Sequence, residues 1–254
     1  MRKPIPIIFL LLSTLTVFAQ VERPRNLPAF DFKRIHFGFT VGVNLMDVGF
    51  TRNYDYEPQN GGEEFRYADL SHLQPGFQVS IVSDLRLNKN WNLRFLPGIS
   101  FGSREIWFYD YDDGDVGDPV GDPVDISNVA NPVPLGPAFL DFPLHFKYRS
   151  DRVNNYRPYV VGGLNFRYDM SAKKSGIYDQ DSDEYVKFKR GDLYFEFGFG
   201  VDNYLKYFKF APELKVAVGL MNISDPNGRT GAPEFANSIA YARSYIIMLN
   251  FHFE

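Results

Sequence analysis

The chain alternates apolar and polar residues with a period of two over long stretches. In 36–45 the odd positions Phe37, Phe39, Val41, Val43 and Leu45 are apolar, and the even ones are His36, Gly38, Thr40, Gly42 and Asn44. In 193–202 Leu193, Phe195, Phe197, Phe199 and Val201 alternate with Tyr194, Glu196, Gly198, Gly200 and Asp202. Side chains of a strand point to opposite faces in turn, so this pattern predicts strands with two unlike environments. Six further segments follow it: 77–87, 91–101, 140–149, 159–168, 208–220 and 244–254. The connections near 53–72, 105–138, 171–191 and 223–240 are long, and those near 88–90, 150–155 and 204–207 are short. Eight strands joined by alternately long and short loops predict an all-β fold, an eight-stranded antiparallel up-and-down transmembrane β-barrel of the outer-membrane type. An even strand number places both ends of the barrel chain on the short-turn rim. Two features resist the pattern. Pro97, Pro143, Pro158 and Pro212 fall inside strand windows, where proline removes a ladder donor, so bulges or shifted boundaries are expected there. Val82 and Ser83 also exchange faces.

Alternation does not say which face is outside. A soluble lipocalin-like barrel would turn the apolar face inward around a ligand. The polar face, however, carries Asp84, Arg86, Arg94, Asp141, Lys147, Arg149, Arg167, Asp169, Glu196, Asp202, Lys209, Glu213 and Lys215, six acids against seven bases. Near balance suits an enclosed lumenal charge network, since an unpaired buried charge is costly. The same face is rich in glycine, which relieves crowding in an interior only just wide enough for side chains. The chain closes on an aromatic alternation, Tyr245 to Phe253, that resembles the C-terminal insertion signal of bacterial outer-membrane barrels; the final Glu254 departs from the usual closing aromatic. Eight strands leave a packed interior, so a general diffusion porin is not expected.

The start of the chain has a different character. Arg2 and Lys3 precede an apolar run from Ile5 to Leu12, followed by Val17-Phe18-Ala19. This arrangement reads as a secretory signal peptide over 1–19, cut after Ala19. Residues 20–33 form a proline-containing periplasmic N-terminal segment, and 34–254 the barrel. The segment is either a loose leader or a docking strap with Pro24, Pro28, Phe30 and Phe32 as candidate partner contacts. Composition then makes sense: 25 Phe, 16 Tyr and 2 Trp coexist with a mean hydropathy of -0.26 because the average spans a lipid face, a polar lumen and acidic loops. A net charge of -4 argues against nucleic acid as a partner, and zero cysteine excludes disulfides, thiolate metal sites and thiol catalysis.

Candidate chemistry is sparse. Gly98-Ile99-Ser100-Phe101-Gly102 matches a nucleophile-elbow pattern but lies within a strand window, not at a strand–turn–helix corner. Of the four histidines, His36, His145 and His252 face the expected lumen and His72 does not; an interior hydrogen-bonded role stands beside a relay with Asp141 or Glu196. The 105–138 loop holds Glu105, Asp110, Asp112, Asp113, Asp115, Asp118, Asp122 and Asp125, and the 171–191 loop holds Asp179, Asp181, Asp183 and Glu184. The Gly and bidentate Glu of a calcium loop are missing from both, so solvated acidic loops are the simpler reading, with weak divalent bridging to anionic headgroups as the other. No catalytic, cofactor or metal residues are assigned. Enzymatic activity and a cofactor are not expected.

The run Lys33-Arg34-Ile35-His36-Phe37-Gly38-Phe39, with Gly42, Asn44 and Met46-Asp47, resembles the first strand of the PorT/SprT family, and the signal peptide and eight-strand layout match over essentially the whole mature chain. The resemblance implies a bacterial outer-membrane protein needed for type IX protein secretion and, in gliding species, gliding motility. The implied partners are outer-membrane lipids and secretion-system proteins of the outer membrane or periplasm; the resemblance carries over no active site. A generic small barrel for adhesion or envelope integrity, and a lipid-modifying outer-membrane enzyme, are the alternatives.

Overall fold

The computed structural model describes residues 25–52, 65–72, 74–102, 105–111, 138–170, 189–224 and 239–254. The signal peptide reading, Pro24 and most of the four long connections, including the acidic runs at 112–125 and 179–184, lie outside these residues.

Period-two segments become strands: β1 (Ile35–Arg52), β2 (Phe65–His72), β3 (Gln74–Arg86), β4 (Trp91–Phe95), β5 (Gly98–Phe101), β6 (Glu105–Tyr111), β7 (Ala138–Arg149), β8 (Tyr156–Asp169), β9 (Gly191–Tyr204), β10 (Lys209–Gly219) and β11 (Ile239–Phe253). The main sheet runs β1-β11-β10-β9-β8-β7-β4-β3, with β5 beside both β3 and β7, and β1 pairs back onto β3. The sheet therefore closes on itself, and closure leaves no unpaired edge. Every pairing is antiparallel.

β4 and β5 are one barrel strand interrupted at Leu96-Pro97. Ser83↔Phe95 and Ser80↔Gly98 continue the same register across the gap, as do Phe95↔Leu144 and Gly98↔Asp141 on the other side. The barrel thus has the eight strands expected. The expected bulges or shifted boundaries at the other prolines do not occur. Pro143↔Asn165 and Pro158↔Val201 sit in unbroken register. Opposite Ala211 and Pro212 the β9–β10 pairing lapses and resumes at Glu213↔Gly200 without a shift. Each proline forfeits one donor but keeps its acceptor; the Pro143 carbonyl receives the Leu96 N–H at 3.1 Å and the Pro97 carbonyl the Ile81 N–H at 3.0 Å.

The expected long connections 53–72 and 105–138 are not wholly irregular. β2 and β6 within them pair as a second, two-stranded sheet, Phe65↔Tyr111 to His72↔Glu105. β2 ends two residues before β3 begins and β6 begins four residues after β5 ends, so the second and third barrel strands carry pairing past the long-loop rim.

The apolar face points outward. Phe37 is 70% exposed, Phe197 55% and Phe199 57%, while Asp84, Arg94, Lys147 and Asp202 on the other face are fully buried. This excludes the lipocalin-like arrangement, in which the rings would line the inside. Val82 points into the lumen and is fully buried, while the neighbouring Ser83 faces out. Near the long-loop end Met46, Phe139, Tyr194, Ala217, Ile246 and Met248 form an apolar layer within the lumen.

Candidate functional site: the lumenal ion network and the short-turn mouth

The pleat aims the polar positions of all eight barrel strands at one axis, where the charged ones, from β3, β4 and β7 to β10, meet across the ring. Arg94 donates to Glu213, whose Oε2 also accepts the Tyr159 hydroxyl at 3.0 Å and lies 3.3 Å from His252 Nε2. His252 Nδ1 shares a hydrogen bond of 2.6 Å with the Thr40 hydroxyl. Lys147 Nζ reaches Asp202 at 2.8 Å and lies 3.7 Å from the centre of the Tyr159 ring. Asn92 donates to Asp84. Nearer the long-loop end, Arg167 grips Asp141 with two bonds, at 2.6 and 3.0 Å, and Ser100 donates to the same carboxylate at 2.6 Å. Glu196 gathers His145 at 2.7 Å, Lys215 at 2.5 Å and Asn165 at 2.7 Å.

Of the thirteen charged residues assigned to the lumen from sequence, twelve are buried there: Asp84, Arg94, Asp141, Lys147, Arg149, Arg167, Asp169, Glu196, Asp202, Lys209, Glu213 and Lys215. Arg86 instead lies half-buried at the short-turn rim. Pairing on this scale is what permits the burial, because each ion's desolvation is offset only by a close counter-ion and further hydrogen bonds. A cavity of about 30 Å³ remains among Asp141, Asn165, Arg167, Glu196, Lys215 and Asn250, room for a water rather than a substrate.

The nucleophile-elbow match finds no elbow. Ser100 lies in β5, fully buried, with its hydroxyl committed to Asp141. Of the relay residues, His145 touches Glu196 and not Asp141. Among the described residues no three His, Asp or Glu side chains are grouped to hold a metal.

Sequence reasoning passed over Arg157, Asp192 and Glu254. Arg157 and Asp192 are buried, each a residue or two outside the alternating window that would have assigned it. Glu254, placed on the polar face but left out of the charge network, takes Lys209 at 2.7 Å, and the two residues exchange both backbone N–H bonds, at 2.7 and 3.0 Å. This extends the β10–β11 pairing by one residue pair.

At the short-turn rim the N-terminal segment crosses the barrel mouth and turns at Phe30–Phe32. Phe30 stacks on His36 with ring centres 4.0 Å apart and lies edge-on to Tyr204. The Asp31 carboxylate accepts from the Tyr204 hydroxyl at 3.0 Å, Arg157 at 3.2 Å and Arg152 at 3.3 Å, and its carbonyl accepts from Arg86. Asn26 donates to Asn155 Oδ1 at 2.9 Å and to the Tyr204 carbonyl at 3.0 Å. Of the candidate contacts, Phe30 faces the mouth, whereas Pro28 and Phe32 are exposed. Asp31, which no motif singled out, is the anchor. Outside the barrel wall, the exposed pair Lys89–Asp151 at 2.8 Å joins two short turns, and its hydrogen bond holds the Asp151 carboxyl below the usual carboxylate range.

A closed antiparallel ring with an apolar exterior, a paired-charge interior and unequal rims defines an outer-membrane β-barrel. The chain belongs to the family described as "Outer membrane protein beta-barrel domain", whose model matches residues 18–225. It is a protein of the bacterial outer membrane. Among solved structures, it is similar to Neisserial surface protein A (NspA), at 12% identity and TM-score 0.41, over 87% of this chain and 98% of that one. It is also similar to OprG from Pseudomonas aeruginosa, at 14% and 0.38 over 86% and 93%, and to AlkL, at 11% and 0.33 over 91% and 97%. Comparison with curated proteins returned no match.

Proposed function

We propose that this outer-membrane barrel is a non-enzymatic component required for type IX protein secretion, and for gliding motility where it exists, acting as scaffold or assembly factor. The observation that carries the reading is the filled lumen. Most lumenal carboxylates and cations are held by one another or by neighbouring side chains, the cavity among the described lumenal residues has room only for a water, and function falls to the rims and the N-terminal segment. The likeness of residues 33–47 to the PorT/SprT first strand supports the secretion role. Residues 1–19 serve as its signal peptide, and secretion proteins in the outer membrane or periplasm are its partners. Deleting the gene should stop export of type IX cargo, with recovery on complementation; normal export in the deletion strain would overturn the proposal. Mass spectrometry of the mature protein should find Gln20 at its N-terminus.

A second reading, surface adhesion or envelope integrity, draws on the β2–β6 sheet that extends the long-loop rim. It predicts normal export with altered surface binding or detergent resistance. Lipid modification has less support, since Ser100 and His145 are both sealed inside the lumen.

A further inference from the structure

The contacts of Asp31 are unequal in origin. Its partners are already held by the barrel. Arg152 donates through Nε to the Asn154 carbonyl at 2.8 Å and through Nη2 to Asn155 Oδ1 at 2.9 Å, and its guanidinium lies 3.8 Å from the Tyr204 ring centre. Arg157 donates to the Ser150 carbonyl at 2.7 Å and the Lys89 carbonyl at 2.9 Å. Both side chains are more than nine-tenths buried, and each turns a remaining N–H toward one point. Positioned guanidiniums with a tyrosine hydroxyl beside them form a preorganised carboxylate receptor. Next to it, the His36 ring and the Lys209 ammonium, 5.0 Å from the Phe30 ring centre, form an aromatic seat.

The strap that fills this receptor is lightly tethered. It contributes no strand to the sheet; side-chain contacts hold it, together with a single 3₁₀ turn. Leu27 within it has a φ of 49°, a left-handed conformation that non-glycine residues adopt at a cost. Withdrawing the strap would break no barrel ladder, but it would leave Arg152 and Arg157 without their shared carboxylate, positions that a competing anion could take.

We propose that the short-turn mouth is a peptide-binding cradle for an aromatic residue followed by an acid, occupied in cis by Phe30-Asp31 and open to a periplasmic partner segment of the same chemistry that displaces them. The cradle does not depend on the secretion role, since it is built from the barrel's own turns. In this arrangement the strap occupies the site until a competing segment binds.

The test uses a fluorescent peptide of residues 25–33 and the full chain in detergent micelles, read by anisotropy, with heat-modifiable gel migration reporting the folded barrel. The peptide should bind a Phe30→Ala/Asp31→Ala chain at least about tenfold more tightly than the intact chain, whose own strap competes. An Asp31→Asn peptide should bind that variant at least about tenfold more weakly, a change of roughly 1.4 kcal/mol. Adding Arg152→Ala to the variant chain should weaken binding similarly. Should that chain fail to fold, the peptide substitution carries the same discrimination. No binding to the strap variant, equal binding to both chains, or indifference to Asp31→Asn would each overturn the proposal.

Discussion

Arg94 and Glu213 are 119 residues apart in the chain and meet as an ion pair with both side chains wholly withdrawn from solvent. The carboxylate also serves Tyr159 and His252. Glu213→Ala would leave the guanidinium charged and unpaired and should lower the unfolding free energy by about 3–5 kcal/mol. Arg94→Met together with Glu213→Leu removes both charges and should recover most of that loss. Urea unfolding of the wild type, Arg94→Met, Glu213→Leu and the double variant in micelles, followed by tyrosine and tryptophan fluorescence, closes the cycle. Additive losses in the double variant would refute the coupling.

Neighbouring glycines on opposite faces should respond oppositely to alanine. At Gly163 an added methyl would lie 2.8 Å from His145 Cα and closer still to the Leu144 carbonyl oxygen, both backbone atoms of β7. Gly163→Ala should therefore cost on the order of 1–3 kcal/mol, the usual penalty of overpacking. At Gly162 nothing lies nearer than 3.9 Å. There the lower chain entropy of alanine should leave stability unchanged or raised by roughly 0.5 kcal/mol. Thermal midpoints of the two variants test the contrast.

Paired charges filling the lumen should block ion flow. Planar-bilayer recordings of the purified barrel are expected to show no steady, large conductance, and observing one would mean that the network opens under voltage.

The Lys89–Asp151 bridge joins two short turns yet is 68% and 71% exposed, so solvent screens it. Because the Asp151 carboxyl is lowered, any stability it lends exists above the ordinary carboxylate range and disappears only as pH falls through the lowered value. Lys89→Ala should leave the unfolding midpoint unchanged at neutral pH and add no new dependence between pH 7 and 5. A changed midpoint or a new slope in that window would give the pair a larger role than its exposure permits.

The period-two pattern determined by itself that eight segments are strands, which residues share a face, and that a balanced set of charges lies opposite the aromatics. These are legible because side-chain direction in a strand depends only on position parity. Tertiary structure alone decided which charges meet. Pairing Arg94 with Glu213, or His145 with Glu196 and not Asp141, depends on inter-strand register and barrel closure, which no local window contains. Arg157 and Asp192 escaped because strand ends extend past the last clear alternation. Pro143 and Pro158 were misleading: a proline costs one ladder bond, and neighbouring strands hold the register regardless. The N-terminal strap shows the limit most sharply. Asp31 is one acid in an aperiodic segment. It becomes an anchor only because the 150–155 turn with the start of β8 and the far end of β9, distant in the chain, bring Arg152, Arg157 and Tyr204 to one point at the barrel mouth.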